Sequence, residues 1–274
     1  MSIHPTALVD RGASIGRDAV IGPYAVIDSD VTVGDGSVIG PHAVIHRYTT
    51  LGANCRVHAH AVLGGIPQDT AFKEFPSYVR IGAGTLIREH VTIHRGTKPE
   101  TATEVGEGCF LMVNSHLGHN VKLGNQVIIV NAALLAGYVE VGDRAFVSGN
   151  VVLHQFVRVG RLAMLSGLSG ISKDVPPFCT TAGLMPNSVG GLNVVGMRRA
   201  GIAAPERLQI KRAFDLVYRS GLNVSQAVER IRAEGLGGAA AEFGAFAESS
   251  KRGICRFIKT RDTAGRAGDE ESAS

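Results

Sequence analysis

Ala13-Ser14-Ile15-Gly16-Arg17-Asp18-Ala19-Val20-Ile21-Gly22-Pro23-Tyr24-Ala25-Val26-Ile27 carries isoleucine at every sixth position, with alanine two residues ahead of each. The same phase extends outward through Ile3 and Val9 on one side. On the other it runs through Val33, Ile39, Ile45, Leu51, Val57, Leu63, Ile81, Ile87, Ile93, Val105, Leu111, Leu117, Leu123, Ile129, Leu135, Val141, Val147, Leu153, Val159, Leu165 and Ile171. Asp69, Phe75 and Pro99 interrupt it. Helices repeat apolar positions at about 3.6 residues and strands at about 2, so a six-residue beat belongs to neither. It fits a flat-sided coil in which each hexapeptide is a short strand and a corner. Three hexapeptides close a triangular turn of about 18 residues, and turns stack as parallel strands roughly 4.8 Å apart. The glycine that often follows the aliphatic residue, as in Ile15-Gly16, Val33-Gly34 and Val141-Gly142, is expected to give the corner its backbone freedom. An antiparallel domain with glycine turns would not hold one phase for so long.

The 274 residues are 45% hydrophobic, only 5% aromatic and free of tryptophan, which suits a narrow prism of small branched side chains plus one small further domain. Cys55, Cys109, Cys179 and Cys255 form no CxxC pair, which argues against a zinc ribbon or a disulfide framework and for a reducing, cytoplasmic setting. The repeat is entered by Ile3 without a basic-then-apolar leader, and no apolar run is long enough to span a bilayer, so no integral membrane segment is expected.

Two stretches, residues 64–78 and 95–103, are expected to leave the coil as loops, where rigid scaffolds tend to carry function. After Ile171 the beat ends at Asp174-Val175-Pro176-Pro177, and a Gly/Asn/Pro-rich stretch leads to about Pro205. The expected organisation is a coil over 1–190, an α-helical domain over 191–261 and a disordered tail over 262–274. One helix is expected around Leu208 to Tyr218 with a stop at Gly221, and a second over Val224 to Ile231 with Ser225 near its cap. A third is expected from Ala239 to about Lys259.

Charge separates the parts. Residues 1–197 hold 14 basic against 14 acidic side chains, residues 198–261 hold 13 against 6, and residues 262–274 hold 1 against 4. The basic excess, which includes Arg198, Arg219, Lys251 and Arg252, is expected to steer an acidic partner. No nucleic-acid-binding motif or aromatic interleaving accompanies it, so nucleic acid is not the expected partner.

Histidine is the natural general base near neutral pH, and Asn114-Ser115-His116-Leu117-Gly118-His119-Asn120 concentrates two of them mid-coil. Leu117 is the inward residue, so His116 falls on the strand and His119 on the following corner. One turn of 18 residues later, Gly137 stacks over His119 and Tyr138 over Asn120; two turns later His154 comes near the column of Gly118. Stacking alone thus brings a base, a backbone amide without a side chain and another histidine within roughly 5 to 10 Å. Such a constellation suits acyl transfer, in which the Gly137 amide can donate to an oxyanion.

The six-residue pattern resembles the left-handed parallel β-helix of the hexapeptide-repeat acyltransferases, which implies that handedness, homotrimers, and active sites in the clefts between subunits. A closer resemblance lies in Leu111 to His119, Thr92-Ile93-His94-Arg95-Gly96-Thr97, Leu135-Ala136-Gly137, His154-Gln155-Phe156, Asp174-Val175-Pro176-Pro177, Tyr218-Arg219-Ser220-Gly221 and Ser250 to Ile254. These stretches, spread over nearly the whole chain, look like those of the UDP-N-acetylglucosamine 3-O-acyltransferases, which open lipid A synthesis. The resemblance implies that His119 takes the proton of the sugar 3-hydroxyl as it attacks an acyl-acyl carrier protein thioester, with Gly137 as oxyanion donor and no metal or organic cofactor. It further implies that Gln68 and Asp69 hold UDP-N-acetylglucosamine and that His116, Tyr138, His154 and Gln155 line the cleft. Asn193 and Arg199 would lie by the nucleotide, and Gly167 would occupy the position that limits acyl-chain length, a glycine there leaving room for a longer chain.

The chain departs from that pattern at several positions. Asn120 stands where many such enzymes have Asp, Tyr138 replaces a histidine, Ala71 a lysine, Val195 a glutamate and Ala200 an arginine. An amide at 120 can orient the imidazole but cannot offset its charge. The changes leave open a 3-amino or other UDP-sugar as acceptor. A zinc site like that of hexapeptide-repeat carbonic anhydrases is the alternative chemistry, since several histidines are available, and a non-catalytic scaffold is the third reading.

Overall fold

The computed structural model describes residues 1–258. From Ser2 to Ile171 the chain winds as stacked turns of three short strands, each pairing in parallel with its counterparts one turn away. A first face runs from Ser2–Ile3 to Met164–Leu165, a second from Leu8–Val9 to Gly170–Ile171 and a third from Ser14–Ile15 to Arg158–Val159. Ile3 pairs with Ile21 and Ile21 with Ile39, the 18-residue turn that the beat requires. Val57 pairs with Ile87 and Ile87 with Leu111, so the turns that carry the two loops are 30 and 24 residues long. Both are multiples of six, which keeps the phase across the loops while Asp69, Phe75 and Pro99 lie in the loops themselves.

Inside the prism Ile21, Ile27, Val33, Ile39, Ile45, Leu51 and their successors are buried, with Ala19, Ala25 and Ala43 filling the tight position two residues ahead. Each such aliphatic side chain contributes about 1.5–3 kcal/mol by leaving water. The glycines do something other than expected. The left-handed backbone falls three residues after the aliphatic one, at Asp18, Tyr24, Asp30, His42, Asn54 and their equivalents, most of which are not glycine. Gly34 is needed for closeness instead: a Cβ there would stand 2.4 Å from the carbonyl carbon of Gly52 in the next turn.

The three faces differ in what they turn outward. The third shows Arg80, Glu104, Lys122, Glu140 and Arg158 in register, alternating in charge from turn to turn. Arg80 and Lys122 approach Glu104 at 3.5 and 3.9 Å, and Arg158 approaches Glu140 at 4.0 Å. The first face shows Phe110, Ile128, Phe146 and Met164 in register, and the second shows Leu134 and Val152 beyond His116.

Past the coil, Cys179–Thr181 pairs antiparallel with Ser188–Leu192, which crosses the boundary expected at residue 190. A short helix follows, α1 (Val194–Arg199), where the sequence reading had no helix before Pro205; Asn193 caps it by accepting the Gly196 N–H at 2.8 Å. Next come α2 (Ala204–Arg219), α3 (Val224–Ala233) and α4 (Gly238–Glu248). Gly221 sits at φ 80° just past α2, as a stop signal should. The cap of α3 is Asn223, in a reciprocal capping box with Gln226, rather than Ser225. The last helix ends eleven residues short of Lys259. Gly253 turns with φ 74°, and Arg256–Phe257 pairs with Ser188 and Val189, so sheet hydrogen bonds replace helical ones. Lys259 and the tail expected over 262–274 lie outside the described residues. Asp174 clamps the helices to the prism: buried, it accepts the Arg158 N–H at 2.9 Å and the Ser250 hydroxyl at 2.8 Å.

Ile129→Ala, which empties a fully buried site in mid-prism, should cost about 2–5 kcal/mol in urea unfolding. Glu104→Gln, on the exposed charge ladder, should cost less than about 1 kcal/mol.

Candidate active site

His116–Leu117 is a strand of the second face, with Leu117 inward and His116 half-exposed outside. The corner that follows carries Gly118 and His119 and turns at Asn120, whose φ is 60°. One turn later Gly137 lies beneath His119, and the Tyr138 N–H donates to the His119 carbonyl at 2.9 Å. A Cβ on Gly137 would fall 2.3 Å from Cε1 and 2.4 Å from Nε2 of His119, so only glycine leaves the imidazole its seat. Among the described residues the Gly137 N–H has no hydrogen-bond partner.

The other side of the ring is tied down. His119 Nδ1 lies 3.1 Å from Asn120 Oδ1, and the same oxygen accepts the Thr97 N–H and the Thr97 hydroxyl, each at 3.0 Å. A backbone N–H facing the amide requires its oxygen there, so His119 Nδ1 is the donor and Nε2 keeps its lone pair. The Asn120 N–H donates to the Thr103 hydroxyl at 2.8 Å, and that hydroxyl donates to the His94 carbonyl at 2.6 Å. The loop 95–103 is therefore folded onto the corner that holds His119.

His94 and His116 meet edge to face at 4.8 Å, and His116 Nδ1 shares a proton with the Thr92 hydroxyl at 2.7 Å. Burial, then the neighbouring His116 and His119, pushes His94 down to about 4. Burial also lowers His116. Both are thus neutral at pH 7.

A cavity of about 230 Å³ opens over this ensemble, lined by Gln68, His94, His116, His119, Gly137 and Gln155 together with aliphatic side chains of the second face. Of the other residues singled out in the sequence, Asp69 is exposed in the first loop and accepts the Ala71 N–H at 2.9 Å. His154 is exposed and takes the Arg252 guanidinium at 3.1 Å, which turns Arg252 toward the prism and away from the role of a free docking cation. Gly167 is exposed at the corner between the first and second faces, where a Cβ would meet only the Gly149 carbonyl oxygen at 3.4 Å. Asn193 and Arg199 do not join His119 within the chain. They line a separate hollow of about 870 Å³ on the first face, with Phe110, Ile128, Phe146 and Met164. Asn193 is also committed locally, as the α1 cap and as a donor to the Leu162 carbonyl at 2.9 Å. Among the described residues no three His, Cys, Asp or Glu side chains are grouped so as to hold a metal ion. Sequence reasoning assigned no site role to Thr97, Thr103 or His94; the signals for them were the stretch Thr92 to Thr97 and the polar 95–103 loop.

Residues 12–47 match the family described as bacterial transferase hexapeptide (six repeats), and residues 174–255 match that described as Udp N-acetylglucosamine O-acyltransferase, domain 2. An acyl-(acyl-carrier-protein)--UDP-N-acetylglucosamine O-acyltransferase of Anaeromyxobacter sp. (strain Fw109-5) is 44% identical over 258 residues, 93% of this chain and 100% of the relative. One from Burkholderia orbicola is 43% identical over 260 residues, 93% of this chain and 99% of its own. Among solved structures, a UDP-N-acetylglucosamine acyltransferase from Bacteroides fragilis superposes with a TM-score of 0.88 at 36% identity, covering 92% of this chain and 99% of that one. The Francisella novicida UDP-N-acetylglucosamine acyltransferase gives 0.89 at 33% identity, over 99% and 100%. The stacked turns are accordingly a left-handed parallel β-helix with α-helices after it, the fold class expected from the repeat. With a relative matched from end to end at this identity, the chain belongs to the acyl-(acyl-carrier-protein)--UDP-N-acetylglucosamine O-acyltransferase family.

Proposed function

We propose that this chain moves a fatty acyl group, 3-hydroxylated, from an acyl carrier protein thioester to the 3-hydroxyl of UDP-N-acetylglucosamine, the first step of lipid A synthesis, in the cytoplasm. The observation that carries the reading is the seat of His119: Nδ1–H held by Asn120, Nε2 free, and the Gly137 amide unclaimed beneath it. In the proposed reaction Nε2 takes the 3-hydroxyl proton as the sugar oxygen bonds to the thioester carbon. The oxyanion that forms accepts the Gly137 N–H. Collapse breaks the C–S bond, and the imidazolium returns its proton to the departing thiolate. Gln68 and Asp69 on the first loop hold the nucleotide sugar, and His116, His154 and Gln155 border the cleft.

The working unit of this proposal is a homotrimer. Its support is the polarity of the prism: the third face is a charge ladder, whereas the first and second present apolar rows that a single chain leaves partly in water. Setting the first face of one subunit against the second face of the next makes a heterologous contact that closes as a threefold ring. It would bring a neighbour's Asn193 and Arg199 toward His119 to hold the nucleotide, and Gly167 would border the path of the acyl chain. For the acidic carrier protein the available cations are Arg198, Lys251 and Arg256, which are exposed. Lys211, Arg212, Arg219, Arg230 and Arg232 are already paired with Asp215, Glu234 or Glu248. No helix among the described residues is long and apolar enough to cross a membrane.

Purified protein given a panel of acyl carrier thioesters and UDP-sugars with a 3-hydroxyl or a 3-amino group should yield acylated UDP-N-acetylglucosamine by mass spectrometry. His119→Ala should lower the rate about 100- to 10,000-fold, and Gly137→Ala, which displaces the ring, should lose most of it; a wild-type rate in either rejects the assignment. Phe146→Glu should convert trimers to inactive monomers in light scattering, and an active trimer would overturn the assembly. His94 adds a pH test. With a folded-state value of about 4 against 6.5 for an ordinary histidine, the unfolded chain binds the proton first as pH falls, so the contribution of His94 to folding stability should decline between about pH 6.5 and 4 and be fully lost below. His94→Asn should flatten that decline in urea titrations across the range.

A further inference from the structure

We infer that Tyr138 is a positioning residue for His119, acting through the Thr97 hydroxyl and the Asn120 side-chain amide; the inference rests on the acyl-transfer reading above. Asn120 Oδ1 collects three donors: the Thr97 N–H at 3.0 Å, the Thr97 hydroxyl at 3.0 Å and His119 Nδ1 at 3.1 Å. A threonine hydroxyl has one proton. With that proton given to Asn120, the 3.0 Å contact between Thr97 Oγ1 and Tyr138 OH must be donated by the phenol. A single directed chain results, from Tyr138 O–H to Thr97 O–H to the Asn120 carbonyl oxygen, which also accepts His119 Nδ1–H. With its rotor set by the phenol, the Thr97 hydroxyl joins the Thr97 N–H in fixing the Asn120 amide with its oxygen toward His119 Nδ1, so the phenol holds the orientation and tautomer of the imidazole through geometry.

Tyr138 is itself held for this task. Its ring stacks on Phe156 at 4.9 Å and 11°, and stands edge-on to His119 at 5.2 Å and 82°. Its peptide N–H is bonded to the His119 carbonyl, and its φ of 60° repeats that of Asn120 one turn earlier. Neither Tyr138 nor Asn120 lines the cavity over His119. The phenol therefore works from behind the base rather than on a substrate. Asn120, unlike a carboxylate, offers one acceptor oxygen and one amide nitrogen, so its partners must fix which of the two faces His119. The titratable groups facing His119 are His94 and His116 from the second face and Tyr138 from the next turn.

Tyr138→Phe removes the donor and keeps the ring. We expect kcat to fall about 3- to 10-fold, the effect of one neutral hydrogen bond, with KM for UDP-N-acetylglucosamine and for the acyl donor changed by less than about two-fold. Thr97→Val should give the same loss, and the double variant should be no slower than Thr97→Val alone, because both cut one chain. Adding Asn120→Asp to Tyr138→Phe should restore kcat, since a carboxylate presents an acceptor oxygen either way round and needs no orienting, and should move the acid limb of the pH profile to higher pH by favouring the imidazolium. An unchanged kcat in Tyr138→Phe, or a rise in KM alone, overturns the inference, the latter by making the phenol a substrate ligand. Imidazole 15N shifts give a readout independent of turnover: His119 should be the Nδ1–H tautomer in the wild type and a tautomer mixture in Tyr138→Phe and Thr97→Val. If no donor and acceptor react, the acyl-transfer reading fails while the nitrogen shifts still decide the positioning chain; identical shifts in all three proteins would reject it.

Discussion

Everything in this molecule depends on the parallel hydrogen bonding of one turn to the next. That ladder fixes residues 18 apart at strand spacing, so whatever stands at one corner meets its counterpart above and below at contact distance. At Gly34 the approach excludes even a Cβ, and at Gly137 it does the same beneath an imidazole. A side chain deleted from the wall of one turn thereby becomes a recess for the turn below. In the proposed reaction the corner needs no special loop to present the Gly137 amide to an oxyanion; it needs one missing side chain in a regular stack.

The stack explains how much was legible in advance. The beat from Ile3 to Ile171 places Gly137 by His119 and Tyr138 by Asn120 through arithmetic alone, because the coil is one-dimensional and its period is constant. Legibility fails where the period stops. Thr97 and Thr103 reach Asn120 through a loop whose path follows from its own turns, not from the repeat. The end of α4 at Glu248 and the strand at Arg256–Phe257 depend on an edge offered by Ser188–Leu192, and no local pattern announces a pairing so distant in sequence. The short α1 escapes because six residues with two valines and a glycine carry almost no helical periodicity, and its cap at Asn193 is the only signal.

The separation of Asn193 and Arg199 from His119 has the same origin. A triangular coil sends successive hexapeptides to different faces, so residues close in function but carried on different faces cannot meet inside one prism. In the proposed trimer they meet when a second prism turns its first face toward the second face of this one. Apolar rows on those two faces and a charge ladder on the third support that arrangement. They would distinguish the faces that leave water on assembly from the face that stays in it.

The cavity is built without formal charge. No Asp or Glu lines it, and both flanking histidines, His94 and His116, are kept neutral by burial. For an acceptor carrying a diphosphate this is a physical advantage, since a carboxylate in a partly desolvated cleft would repel the ligand over a distance comparable to the cavity itself. In the proposed reaction the cost falls on His119, whose imidazolium would face no carboxylate in the cavity. An amide that gathers three hydrogen bonds on one oxygen, backed by a hydroxyl and a phenol, orients the ring with dipoles alone. Such a site holds its base in one tautomer without adding negative potential where a nucleotide diphosphate must dock, and that reconciles Asn120 with the chemistry expected of His119.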